Sequence, residues 1–159
     1  MIVRRAEELT VDEVLAAGGM VVAVADGELT AAALLADWRV AGSGARFPAE
    51  PDAAALGALV WRMGSKALPF YAAGGDLVAC GLADALVPHG TDSVEWARGW
   101  AAGRSGLALD AAAALMRGRG GDTLERAEFA RLFAIGEPQM GLAAFLARRK
   151  PVWLERTSS

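Results

Sequence analysis

Residues Met20-Val-Val-Ala-Val-Ala25 form an unbroken apolar run rich in β-branched side chains, and Asp26-Gly27 closes it. A run of this kind with a turn signal behind it reads as a buried strand. A strand with no polar stripe must be covered by other elements, and the flanking segments supply helices. Upstream, Thr10-Val-Asp-Glu13 has a hydroxyl at the N-cap and a carboxylate three residues on, so it opens a helix that Gly18-Gly19 stops. Downstream, Leu29 to Ala36 is a helix of small residues, and Trp38-Arg-Val-Ala41 is a second strand. Ala45-Arg-Phe47 reads as the start of a third strand, followed by a loop from Pro48 to Asp52.

Asp52 caps a helix from Ala53 to Met63, with Leu56, Leu59, Val60 and Met63 on one face. Gly64 ends it, Ser65 starts a short helix, and Gly74-Gly75 stops that one. Asp76 caps the turn that leads to Gly81, and Leu86-Val87 is a short strand ending at Pro88. From there the chain reads as helices only. Asp92-Ser-Val-Glu95 is a second capping box, with Trp96 and Trp100 one turn apart beyond it. Leu107 to Met116 follows, then a glycine-rich break at Gly118-Arg-Gly-Gly121. Asp122 or Thr123 caps a helix through Ile135, and a last helix runs from about Gln139 to Arg149, stopped by Pro151.

Composition agrees with a helix-rich chain. Alanine, the best helix former, occupies 36 of 159 positions. Apolar residues at 54% against 22% charged exclude a disordered class. The net charge of −3 argues against nucleic-acid binding, which needs a basic footprint. The longest uncharged stretch, Val14 to Ala25, is too short to cross a membrane, and Glu7-Glu8 stand where a leader would have its apolar core. The single cysteine, Cys80, excludes a disulfide framework and a cysteine-rich zinc site, so no metal centre is expected and a reducing cytoplasm fits.

Few residues point to chemistry by themselves. His89 is the lone histidine, and without a Gly-x-Ser-x-Gly elbow it reads as a loop residue before a helix cap. Ala73-Gly-Gly-Asp76 reads as a helix stop followed by a cap, ahead of its alternative as an anion-binding nest. Arg148-Arg149-Lys150 is the densest basic cluster. Either it complements the dipole of the last helix, or it contacts phosphate with Phe145 as an apolar wall. The five tryptophans read as packing residues.

Several segments together resemble the crotonase (enoyl-CoA hydratase/isomerase) superfamily. Met20 to Gly27 is similar to the family's strand ending in Asn-Gly, and Ala36-Asp-Trp-Arg-Val-Ala41 to its Ala/Cys-Asp-x-Arg-Ile-Ala segment. Ala45-Arg-Phe47 is similar to its Ala-x-Phe, and Gly81-Leu-Ala-Asp-Ala-Leu-Val-Pro88 to its Gly-Leu-Val-Asp-x-Val-Val-Pro. Phe129, Leu132-Phe133 and Gly141 to Trp153 resemble its C-terminal signature. The matches run in family order from about residue 14 to 154. The resemblance implies an α/β fold: a reduced ClpP/crotonase-type ββα core over residues 1–90 and a helical C-terminal region over 91–159, one structural domain overall.

The departures bear on catalysis. The family holds a thioester enolate with two backbone N–H groups. One comes from an N-terminal loop that this chain, starting just before the Met20 strand, is expected to lack. The other comes from a glycine loop after Asn-Gly, where Gly27 is followed by Glu28-Leu29-Thr30. Ten positions separate Gly27 from Asp37, about four fewer than the family has. Of the family's two glutamates, the first falls on Ala31 and the second on Pro51 or its neighbour Glu50, so Glu50 alone could be catalytic. The Pro-Gly-x-Gly-Gly segment that normally follows is replaced by Ala54 to Trp61.

At the other end, the resemblance puts Phe145 and Arg148 near a coenzyme A thioester, with Arg149 and Lys150 beside them and no tightly bound cofactor. The implied function is a non-catalytic or auxiliary acyl-CoA-related subunit. Its partners would be other copies of itself in a trimer-type assembly, or another crotonase or biosynthetic enzyme in a hetero-oligomer. The lost repeats should leave the edge of the Met20–Ala25 strand open for such a partner. The alternatives are an active hydratase or isomerase with Glu50 as its single acid/base, and an unrelated helical binding domain, which would lack strands at Met20–Ala25 and Trp38–Ala41.

Overall fold

A computed structural model of the chain describes residues 1–118 and 121–154. It divides into two compact units. One comprises Ile2–Ala17 and Val21–Ala97; the other comprises Met1, Gly18–Met20 and the chain from Arg98 onward. Arg119 and Gly120 of the expected glycine-rich break lie outside the described residues.

The first unit holds a four-stranded sheet of β1 (Ile2–Arg5), β2 (Val21–Ala25), β3 (Trp38–Ala41) and β4 (Ala85–Leu86), in that spatial order and parallel throughout. Each parallel step needs a crossover. A 3₁₀ turn and α1 (Val11–Ala16) connect the first pair, α2 (Ala31–Leu35) the second, and α3 (Ala53–Met63) with α4 (Ala67–Ala73) the third. All five residues of β2 are buried. Val21, Ala23 and Ala25 face a core containing Val14, Leu29, Leu34 and Leu59, while Val22 and Val24, pointing the other way, are buried as well. With strands at Val21–Ala25 and Trp38–Ala41, the unrelated helical domain is excluded.

The capping signals became structure. Thr10 Oγ accepts from Glu13 N while the Glu13 carboxylate accepts from Thr10 N, and Asp52 caps α3; Thr30, unread in the sequence, caps α2. Three expectations are corrected. Ala45-Arg-Phe47 contributes an isolated parallel bridge, Glu28 to Arg46, rather than a strand, because Pro48 denies the ladder its next N–H. The buried face of α3 is Ala55, Ala58 and Leu59, with Leu56 and Val60 exposed: methyl side chains let the helix approach closely. The edge of β2 is not open, since β1 pairs with it from Ile2↔Val21 to Arg5↔Val24. The outer edge of the sheet is β1, which carries Arg4 and Arg5, and charge on an edge strand discourages further pairing.

The second unit is helical. The helix α5 (Ser93–Ala102) carries the chain into it from the first unit. There follow α6 (Gly106–Met116), capped by Ser105, α7 (Asp122–Ala134) and α8 (Glu137–Leu146). Gly121, with no side-chain cap, precedes α7, so Asp122 is its first helical residue rather than its cap. Gly136 in the left-handed region starts α8 two residues before the expected Gln139, and Pro138 sits in its first turn. Asp110 accepts from Met20 N at 2.7 Å and pairs with the N-terminal ammonium at 3.1 Å. Trp153 Nε1 donates to Gly103 O, and its ring lies against Gly141. No helix among the described residues is long and apolar enough to cross a membrane.

Candidate functional site

The loops after β2 and β3 lie at the carboxyl ends of a parallel sheet, where open α/β sheets bind ligands. Here Asp26 and the Gly42–Gly44 turn pack closely against one another. Asp26 follows β2, accepts from Ser93 Oγ at 2.5 Å and pairs with Arg5 at 2.8 Å. Gly42 and Gly44 pass so close that a Cβ on the first would overlap the Asp26 carboxylate, and one on the second its carbonyl oxygen. Gly42 N donates to Ala25 O, locking that approach. Sequence reasoning missed this closure, although Gly42-Ser-Gly44 was its signal.

The segment matches that carry the resemblance turn out to hold the sheet together. Asp37 Oδ2 accepts from Val21 N at 2.7 Å. Asp84 Oδ2 accepts from Arg39 N and Nε, and its Oδ1 from Nη2 at 2.6 Å, tying β3 to the Gly81–Pro88 segment. Arg62 on α3 donates to Leu34 O and Ala36 O, satisfying the open carbonyls at the end of α2. Burial first, and the neighbouring Arg39 charge second, push the Arg62 pKa down to about 10, so it stays charged at neutral pH.

Glu50 sits on an exposed bend, and among the described residues no side chain is hydrogen-bonded or ion-paired to it. Ala31, in the place of the other expected glutamate, is the first residue of α2 and offers only a methyl group. A cleft of about 480 Å³ opens between Ala45–Ala49 and the end of α4, and Glu50 is not among the residues that line it. Phe47 meets Phe70 edge-on at 6.0 Å and Tyr71 at 6.3 Å, and Tyr71 Oη donates to Ala49 O at 3.4 Å. Phe70 and Tyr71 went unread in the sequence; the signal was an aromatic pair one turn ahead of Gly74-Gly75. Those glycines act as the helix stop, with Asp76 Oδ1 accepting from Ala79 N as the cap. His89 is exposed in the turn before α5.

In the helical unit Phe145, Arg148, Arg149 and Lys150 are all exposed. They do not extend the helix, which ends at Leu146. Arg148 N donates to Phe145 O and Arg149 N to Ala144 O, with Arg148 left-handed at φ 49°. This is a Schellman cap with arginine where glycine is usual. Arg149 borders a groove of about 530 Å³ with Gln139, Met140, Ala143 and Val152. The cluster thus has cations and an apolar ring within one turn, which suits an anion carried on an apolar body. Glu50 belongs to the other unit.

No family profile and no curated protein matches the chain. Solved structures do. An enoyl-CoA hydratase subunit I from Geobacillus kaustophilus HTA426 is 26% identical, with a TM-score of 0.67 over 92% of this chain. An enoyl-CoA hydratase/isomerase family protein from Mycobacterium abscessus is 26% identical, with a TM-score of 0.70 over 92%. An enoyl-CoA hydratase from Polaromonas sp. JS666 is 23% identical, with a TM-score of 0.68 over 91%. The chain spans 66% of the length of each of the three.

Proposed function

We propose that this chain, which belongs by its fold to the enoyl-CoA hydratase/isomerase (crotonase) superfamily, is an auxiliary acyl-CoA-related subunit and not a two-glutamate hydratase. One observation carries the reading. Of the two acid/base positions that the resemblance implies, one falls on the methyl of Ala31 and the other on Pro51 or its neighbour Glu50, which is exposed and has no side-chain partner among the described residues. General acid–base catalysis requires a positioned group within reach of the proton it moves.

The ligand in this reading is a coenzyme A thioester, held by Arg148, Arg149 and Lys150 at its phosphates and by Phe145 at its apolar part. Guanidinium groups serve phosphate through paired N–H donors. The partners are further copies of the chain or another enzyme of the same fold, and the setting is a reducing cytoplasm. Titration calorimetry with coenzyme A tests the ligand: saturable binding that weakens when Arg148, Arg149 and Lys150 are all changed to Ala is expected, and no binding overturns it.

A second reading draws on the cleft whose lining ends at Ala49, one residue before Glu50, and has that carboxylate act as a lone base on a bound enoyl thioester. Turnover of enoyl-CoA substrates, abolished by Glu50→Gln, is its requirement. No turnover by the wild-type protein removes it.

A further inference from the structure

We propose that the cleft between Ala45–Ala49 and the end of α4 binds a small aryl group that carries a carboxylate, presented as the free acid or as its thioester. The thioester form rests on the coenzyme A reading above; the free-acid form does not. The walls are Phe47, Pro48, Phe70, Tyr71 and Leu77, and the volume of about 480 Å³ is in the range of small-molecule sites. An aromatic ring gains most from such walls, because ring edges and faces pair favourably.

The wall is anchored. Arg46 N donates to Gly27 O at 3.0 Å and Leu29 N to Arg46 O at 2.8 Å, which holds the backbone under Phe47. Phe47 in turn stands perpendicular to the rings of Phe70 and Tyr71. The floor is open because it is glycine. Gly74 ends α4 at φ +70°, and a Cβ on Gly75 would already sit 3.4 Å from the Phe70 ring.

The rim supplies polarity of one kind. Arg46 lines the cleft, and among the described residues its guanidinium pairs with Glu28 alone, at 3.0 Å with both side chains largely exposed. An exposed pair of this sort is worth little, so the guanidinium is free to turn to an anion. The Tyr71 hydroxyl, on a long 3.4 Å hydrogen bond, is a second donor there. Apolar rings with a cation and a hydroxyl at the mouth match an aryl carboxylate better than a neutral or cationic ligand.

Tyr71 is the only tyrosine, so fluorotyrosine incorporation gives the full chain one fluorine signal, seated in the cleft. The probes are phenylacetate, phenylacetyl-CoA, hexanoate and coenzyme A. Phenylacetate should move the signal saturably and hexanoate should do so less; coenzyme A alone should leave it unmoved. Arg46→Gln should weaken phenylacetate by about three- to fivefold, the size of an exposed charge contact, with melting temperature unchanged. Silence to both aryl probes, or an unaltered affinity in Arg46→Gln, overturns the proposal. Coenzyme A binding by calorimetry with no fluorine response to any probe overturns the cleft and spares the coenzyme A reading. A response to phenylacetate with no coenzyme A binding does the reverse.

Discussion

Asp84 accepts three hydrogen bonds from a single residue, Arg39. The arginine is buried at 5% exposure, and its Nη1 has no partner among the described residues. Asp84 is itself partly exposed, but removing it leaves the buried Arg39 charge without compensation, which costs far more than the pair contributes. Asp84→Ala should therefore destabilise the protein by about 2–4 kcal/mol, measured by urea denaturation; a loss below about 1 kcal/mol, the scale of an exposed pair, would contradict this account. Arg148 presents the opposite case. A non-glycine residue in the left-handed region carries a penalty of roughly 1–2 kcal/mol, and glycine's extra freedom in the unfolded chain takes back about 0.4–1 kcal/mol. Arg148→Gly should stabilise the chain by about 1 kcal/mol, while weakening coenzyme A binding if the cluster holds phosphate. A variant both more stable and weaker in binding would mark the arginine as kept for the ligand.

Short elements here depend on their caps. α1 has only six residues, below the length at which a helix is stable alone. Backbone and side-chain hydrogen bonds from Thr10 hold the Glu13 carboxyl below its ordinary value of 4.5, with Arg4 adding to them. A carboxylate whose folded value is depressed contributes stability above its unfolded value and loses it as pH falls through the folded one. Acidification from about pH 5 downward should thus fray α1 first, read from its amide exchange, and Glu13→Gln should abolish that pH dependence. This element was plain in the sequence because a capping box is a local signal. The same holds for Asp52 and the β2 run. What escaped was non-local. Nothing in Ile2-Val-Arg-Arg5 says that it pairs with Val21–Val24, and its alternation is too brief to set a strand apart. The face of α3 was misread because burial followed alanine, which a hydrophobic tally ranks below Val60. The candidate site divides in the same way. Glu50 and the Arg148 cluster could be placed by resemblance, whereas the aromatic cleft forms from residues 47 and 70–71 that only the folded chain brings together.

At the scale of the whole molecule, the proposed partner is to be sought on the helices rather than at the edge of β2. β1 already occupies the edge of β2 that a second subunit was expected to cover. The most exposed apolar side chains include Trp61 at 66% and Leu68 at 74% in the sheet unit and Phe145 at 77% and Leu146 at 73% in the helical unit. Single exposed hydrophobic residues are ordinary, but large contiguous patches mark interaction surfaces. Val60 and Trp61 adjoin on α3, and Leu68 opens α4 just beyond it, so one sequence stretch concentrates three such side chains. None of them supports the core, and all can become charged without unfolding the unit. Light scattering across a concentration series should then give the wild type a mass above the 16.5 kDa monomer. Trp61→Lys with Leu68→Lys should lower that mass towards the monomer without lowering the melting temperature. A monodisperse wild-type monomer at every concentration overturns self-association. An unchanged mass in the double variant moves the interface to the Phe145 and Leu146 surface, where the coenzyme A cluster also lies, and there added ligand should shift the assembly.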